Sequence, residues 1–249
     1  MREEVLADGI VLIHGDFREI GQRKIDHLIT DSPYEQRSHD ASGSIRRNDG
    51  TANPLAIPFE GIDTMRDDLL LYAKENCSGW LLSFCTTEGV AIWRDAIELH
   101  ELKYKTPMIW VKPNSMPKFN GQGPAHGHEC IVSAWCGPGY SKWNGGGRRG
   151  VFTHNMETIN RDHPTQKPVS LMSEIVCLFS NPGELVGDVF MGSGSTGVSC
   201  VRLARRFLGV EINETYFDVA CRRIEQELKQ TDLFVDIPLR AKQEALKFE

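Results

Sequence analysis

The chain has 249 residues, 40% hydrophobic and 25% charged, and carries a net charge of −6. That length allows one large domain or two small ones, with a core that needs no disulfide or metal to hold it, and the charge excludes a basic coat spread over the whole surface as a means of holding nucleic acid. No run of about 18 apolar residues predicts a membrane span, the opening MREEVLADGI lacks the apolar stretch of a secretion signal, and seven cysteines without a CxxC pair are expected to stay reduced; the expectation is a cytoplasmic protein with no membrane partner.

Along the chain, apolar runs alternate with helical periodicity. Strands are predicted over 9–13, 26–30, 79–85, 105–111, 129–135, 185–189 and 207–210. Several are near-continuous apolar runs (GIVLI, LLSF, MIWV), as strands covered on both faces require. Helices are predicted over 62–75, 88–102, 168–179, 196–204 and 215–228. Pro168 suits a first helical turn, and Pro182 follows the end of the same helix. No helix is legible between 112 and 128, so the strands on either side are expected to form an antiparallel hairpin at the sheet edge. The pattern predicts one α/β domain over 1–230, built on a seven-stranded, doubly wound, mostly parallel sheet. A tail would follow at 231–249, with a short Lys-rich helix near 240–248.

Three stretches break this rhythm. Residues 35–61 contain RSHDASGSIRRNDG, 112–128 are rich in Pro, Gly and Asn, and 137–162 contain GGGRRG. Long irregular loops inside a compact domain are usually functional or disordered, and 35–61 and 137–162 are candidate recognition loops. Arg37, Arg46, Arg47, Lys112, Lys118, Arg148, Arg149 and Arg161 lie in these stretches and are candidates for phosphate contact. His126, His128, Cys130 and Cys136 match no standard zinc spacing, so no metal is expected.

The most legible local feature is LVGDVFMGSGSTGVSC. A strand runs into Gly192, Gly194 and Gly197, matching GxGxxG, and a helix follows. Such glycines permit a tight turn and close backbone approach to a ligand, and the helix start offers free N–H groups. One strand later, Glu211 closes RRFLGVE, where a carboxylate suits the two hydroxyls of a ribose. Both NAD-dependent and S-adenosylmethionine-dependent enzymes use this pattern, and a glycine-rich βα turn without a ligand is the alternative; the lack of a following Gly-Lys-Ser/Thr argues against a P-loop. A second feature, Asp31-Ser32-Pro33-Tyr34, stands at the carboxyl end of a predicted strand, where open α/β sheets build their sites. Alone it is also an ordinary turn.

The order DSPY, WVKPN, HGHE, HPTQKP, DVFMGSGSTG, GVE resembles the beta-class amino-methyltransferases of DNA, across about 9–228. In that family the catalytic motif precedes the glycine-rich one, a circularly permuted order on a seven-stranded, Rossmann-like sheet. The resemblance implies S-adenosylmethionine as cofactor and DNA as partner, and members often form homodimers, although no dimer stripe is legible here. It implies methyl transfer to N6 of adenine or N4 of cytosine; an aspartate at the first motif position, Asp31, favours adenine.

The same resemblance assigns residues. Asp31, Ser32, Pro33 and Tyr34 would be catalytic: Asp31 and the Ser32 carbonyl as acceptors for the amine, Tyr34 as a stacking ring. The loop Asp188, Phe190, Gly192, Ser193, Gly194 and Thr196 would surround the methionine end of the cofactor. His163, Thr165, Gln166 and Lys167 of HPTQKP would approach its amino-acid part, with Lys167 meeting the carboxylate. Glu211 would hold the ribose, and Asp16 would lie near the adenine. Lys112 and Asn114 in WVKPN would contact DNA. The chain departs from the family where Ser32 replaces a common proline. A nucleotide-dependent oxidoreductase would leave DSPY and HPTQKP unexplained. A non-catalytic protein that binds DNA or the cofactor is the other alternative, suggested by Ser32 and by the short interval between HGHE and HPTQKP.

Overall fold

The computed structural model describes residues 1–34, 61–119, 122–157 and 166–235, with side chains up to 230. Its strands are β1 (Arg2–Ala7), β2 (Ile10–His14), β3 (His27–Thr30), β4 (Trp80–Cys85), β5 (Lys103–Val111), β6 (His128–Trp135), β7 (Val151–Thr153), β8 (Leu185–Asp188) and β9 (Arg206–Glu211). Its helices are α1 (Arg66–Asn76), α2 (Gly89–Leu99), α3 (Val169–Phe179), α4 (Ser195–Arg202) and α5 (Glu214–Val235), with a 3-10 turn at Ile62–Thr64.

The strands form one sheet in the order β1-β2-β9-β8-β3-β4-β6-β5-β7. β2, β9, β8, β3 and β4 are mutually parallel, and β6 runs antiparallel to both β4 and β5. This is the doubly wound, mostly parallel sheet expected, with nine strands among the described residues rather than seven. Both additions are edge strands. β1 pairs antiparallel with β2 through a turn at Asp8-Gly9, where Gly9 takes a φ of 75°; its REEVLA is charged and half exposed, so it carries no apolar run. β7 lies inside 137–162, and three residues are too few to show a period. Because β7 covers β5, the β5–β6 hairpin is one strand in from the edge, not at it. The helix predicted over 62–75 divides into the 3-10 turn and α1, and α5 continues past 228 to Val235.

Helices cover both faces. Leu69, Leu70, Trp93 and Ile97 of α1 and α2 belong to one apolar cluster. Leu171, Ile175, Val198, Phe217 and Ile224 of α3, α4 and α5 belong to the other. β4 serves both by simple alternation, sending Leu82 and Phe84 to one cluster and Leu81 and Cys85 to the other. Gly197 has a packing reason of its own. A Cβ there would stand 2.5 Å from Ile224 Cδ1 and 2.7 Å from Phe207 Cε1, so only glycine lets α4 lie this close to α5 and β9.

The chain leaves β3 toward β4 and leaves β8 toward β9, in opposite directions along the sheet. The reversal between β3 and β8 opens a crevice at their carboxyl ends, the usual ligand position in such sheets.

Candidate functional site

A cavity of about 600 Å3 occupies this crevice, lined by the turns after β2, β3, β8 and β9 together with Trp110, Lys112, Glu129, Met156, Glu157, Gln166 and Lys167. The two features singled out from the sequence, DSPY and the glycine loop, therefore face one space.

On the β8 side, Asp188 organises the loop. Thr30 Oγ1 donates to its Oδ1 and Thr196 Oγ1 to its Oδ2, each at 2.6 Å, and Phe190 N donates at 3.2 Å. Burial pushes its carboxyl up to about 6. Asp188 thus ties β3, β8 and α4 together while lining the cavity. Gly192 and Gly194 take φ of 51° and 82°, values that admit glycine and few other residues. Arg223 Nη1 reaches across from α5 and donates to Ser193 O at 2.6 Å and Ser193 Oγ at 2.9 Å, fixing the loop from behind. Glu211 is buried at the end of β9. Gly192 N donates to its Oε2 at 2.9 Å and Asn213 N to its Oε1 at 2.8 Å; burial raises its pKa against the help of those two amides. Phe190 meets Phe17 edge-on at 5.2 Å, forming an apolar wall.

On the β3 side, Ser32 is buried and its Oγ lies 2.8 Å from Ser83 Oγ of β4. Asp31 enters a row of alternating charges. Lys167 Nζ donates to Asp31 Oδ1 at 2.6 Å and lies 3.3 Å from Glu129 Oε2. Lys112 Nζ donates to Glu129 Oε1 and sits 4.7 Å from the Trp110 ring. Burial raises the Asp31 carboxyl above the usual carboxylate range, with Lys167 opposing and Glu129 reinforcing the shift. Burial also pushes Glu129 upward, but Lys167 and Lys112 outweigh it and hold the group at about 2. Lys167 stays cationic because Asp31 and Glu129 outweigh its burial. Two carboxylates and two ammonium groups thus share one largely buried site. Tyr34 lies beside them, its ring 5.5 Å from Lys167 Nζ.

The remaining candidates divide. Asp16 lines the cavity but is also held by Arg18, whose Nε and backbone N donate at 3.0 and 2.9 Å and lower its pKa. Gln166 accepts from Ser193 Oγ at 3.1 Å and donates to Glu157, which also receives Val169 N at 3.1 Å at the start of α3. Lys167 faces Asp31 and Glu129. Lys112, with 11% of its side chain exposed, lies in the cavity rather than on open surface. Asn114 is clamped to Met156, donating to its carbonyl at 2.9 Å and accepting from its N at 2.8 Å. Lys118 and Arg149 are exposed, and Arg148 pairs with Glu174. Arg37, Arg46, Arg47, Arg161, His163 and Thr165 lie outside the described residues, as does the 240–248 segment.

Among the residues of the site to which the sequence assigned no role are Glu129, Glu157, Ser83 and Arg223. Glu129 stood in the HGHE motif, so a signal existed; the other three carry none that a single sequence displays.

A family model described as DNA methylase, of the N6/N4 type, matches residues 25–222. The Type II methyltransferase M.Cfr9I of Citrobacter freundii is 30% identical over 148 residues, 54% of this chain and 49% of that protein. M.HinfI of Haemophilus influenzae is 24% identical over 91% of this chain and 71% of its own length. The chain therefore spans about half of the first relative and less than three quarters of the second. Among solved structures, the M1.HpyAVI–SAM complex has a TM-score of 0.63 at 25% identity, covering 86% of this chain and 98% of that one. The cytosine-N4-specific PvuII DNA methyltransferase has a TM-score of 0.64 at 15% identity over 88% and 89%, a likeness of fold.

Proposed function

Because the chain belongs to the N6/N4 DNA methylase family, we propose that it transfers a methyl group from S-adenosylmethionine to N6 of adenine at a short specific site in DNA. The observation that carries this reading is the single cavity onto which both Asp31-Ser32-Pro33-Tyr34 and the Gly192–Gly194 loop open. The residues present fit the cofactor. A buried carboxylate, Glu211, suits ribose hydroxyls, Phe190 and Ile212 offer apolar faces, and Asp16 offers a polar edge. When bound, the cofactor supplies an electrophilic methyl group on a sulfonium.

The protein must supply a competent nucleophile. An exocyclic base amine is poor in this respect because its lone pair is delocalised into the ring. Asp31 and the Ser32 carbonyl accept its two N–H groups, favour a tetrahedral nitrogen and stabilise the positive charge that develops there. Tyr34 stacks on a base drawn out of the duplex, since the amine cannot reach the cavity from inside the helix. Holding both reactants in line supplies much of the rate. Asp31 need not start as a strong base, because the amine proton becomes acidic only as the methyl arrives.

The test is incubation with labelled S-adenosylmethionine and mixed-sequence duplex DNA, followed by chromatography of the hydrolysed bases. Label in N6-methyladenine is expected. Label in N4-methylcytosine would overturn the choice of base, and cofactor binding without any transfer would overturn the enzymatic reading. Asp31→Ala should abolish transfer while calorimetric affinity for the cofactor stays close to that of the parent. A large loss of cofactor affinity would mean that Asp31 has a different role.

A further inference from the structure

The transfer step uses an Asp31 oxygen as an acceptor for the base amine, yet in the structure that oxygen is occupied. Lys167 Nζ donates to Asp31 Oδ1 at 2.6 Å, with only 7% of the lysine side chain exposed. Its ammonium also sits 4.8 Å from the Phe84 ring. A base nitrogen that becomes cationic cannot share Asp31 with an ammonium at no cost, so amine and Lys167 compete for one carboxylate. A displaced Lys167 without a second partner would be a bare, buried charge.

Glu129 offers that partner. Its Oε1 is held by Lys112. Its Oε2 is buried, is left without a well-aligned hydrogen bond among the described residues, and lies 3.3 Å from Lys167 Nζ, with the Tyr34 hydroxyl beside the same carboxylate. A shift of about half an ångström would bring the two within the ordinary range of a charge-assisted hydrogen bond. Glu129 is paired with Trp110 of β5, and the next residue, Cys130, is paired with both β5 and β4, so the Glu129 backbone is held in place while the lysine moves.

We propose that Glu129 is a positioning residue for methyl transfer: it takes Lys167 when the base amine claims Asp31 Oδ1, leaving Asp31 ionised and open to the base. The proposal rests on the methyl-transfer reading above. No covalent bond changes in this step and the proton stays on Lys167; only hydrogen-bond partners exchange. The groups facing Asp31 are Lys167 ahead of α3, Glu129 of β6, Lys112 after β5, the neighbouring Tyr34, and Asp188 of β8. Glu129→Gln keeps the shape and removes the charge. Lys167 then has Asp31 as its one anionic partner among these groups, and Asp31 loses a like-charged neighbour that had raised its pKa. Both effects move Asp31 ionisation to lower pH.

The experiment compares the parent, Glu129→Gln and Glu129→Asp in two ways. One is kcat and KM across pH. The other is the carboxyl carbon titration of Asp31 by NMR in cofactor-free protein, assigned with Asp31→Asn. For Glu129→Gln, kcat should fall about 10–100-fold, the loss typical of removing a supporting partner behind a reacting group. KM for the cofactor should barely change, and both the acid limb and the Asp31 titration should move to lower pH. Glu129→Asp should return the titration toward the parent position. An unchanged kcat, or an Asp31 titration that does not move, overturns the proposal; a lower kcat with a lower melting temperature and an unmoved titration marks a merely structural residue and also overturns it. Failure of the parent protein to methylate DNA overturns the underlying function, and the cofactor-free titration then still decides whether Glu129 governs Asp31.

Discussion

The hydroxyls of Ser32 and Ser83 meet at 2.8 Å in a buried position between β3 and β4. A proline at 32, the commoner residue in the family motif, has no group to offer Ser83. Ser32→Pro should therefore lower stability by about 1–3 kcal/mol, because the buried Ser83 hydroxyl loses its close partner and keeps only a 3.5 Å contact to the Phe84 carbonyl. Adding Ser83→Ala should recover most of that loss, since removing both partners is nearly neutral; urea midpoints of the three variants check this. A double variant no more stable than Ser32→Pro alone would show that backbone restriction at 31–32, not the hydroxyl pair, sets the cost. Motif order alone pointed to Asp31, Tyr34 and the glycine loop. It could not point to Ser83, because 51 residues separate it from Ser32. Nor could it give Glu129 a role, because that role depends on lysines from two other parts of the chain.

At the scale of elements, the GxGxxG segment is as much a packing device as a ligand loop. Gly197→Ala would place a methyl group 2.5 Å from Ile224 Cδ1. Overpacking of this kind costs about 1–3 kcal/mol, and a lower urea midpoint should report it. Ile224→Val, which deletes that Cδ1 atom, should recover part of the loss; no recovery would place the strain at Phe207 instead. The parallel strands were legible because burial on both faces imposes continuous apolar runs, as in the fully buried β4. β1 was not, because its outer residues are Arg2, Glu3 and Glu4, although Asp8-Gly9 is a recognised hairpin turn signal. β7 was not, because its pairing with β5 is decided by tertiary placement rather than by its own three residues.

For the whole molecule, a net charge of −6 and the proposed DNA substrate imply that binding leans on a local basic surface. DNA affinity should fall steeply as salt rises, the signature of counterion release. Lys118→Ala and Arg149→Ala, both at exposed positions, should each reduce the slope of log affinity against log salt by about one. Lys112→Ala should leave the slope unchanged while impairing transfer, because its ammonium is spent on Glu129. A slope change for Lys112 equal to that for Lys118 would return it to the phosphate-contacting set. The two ends of the sheet carry a different consequence. An open strand edge is a template on which another chain can extend the sheet, and short or charged edges discourage it. β1 presents Arg2, Glu3 and Glu4, and β7 is only three residues long. Association of copies by extension of the sheet is thereby discouraged, and concentrated solutions should stay free of the fibrils that unguarded edges seed.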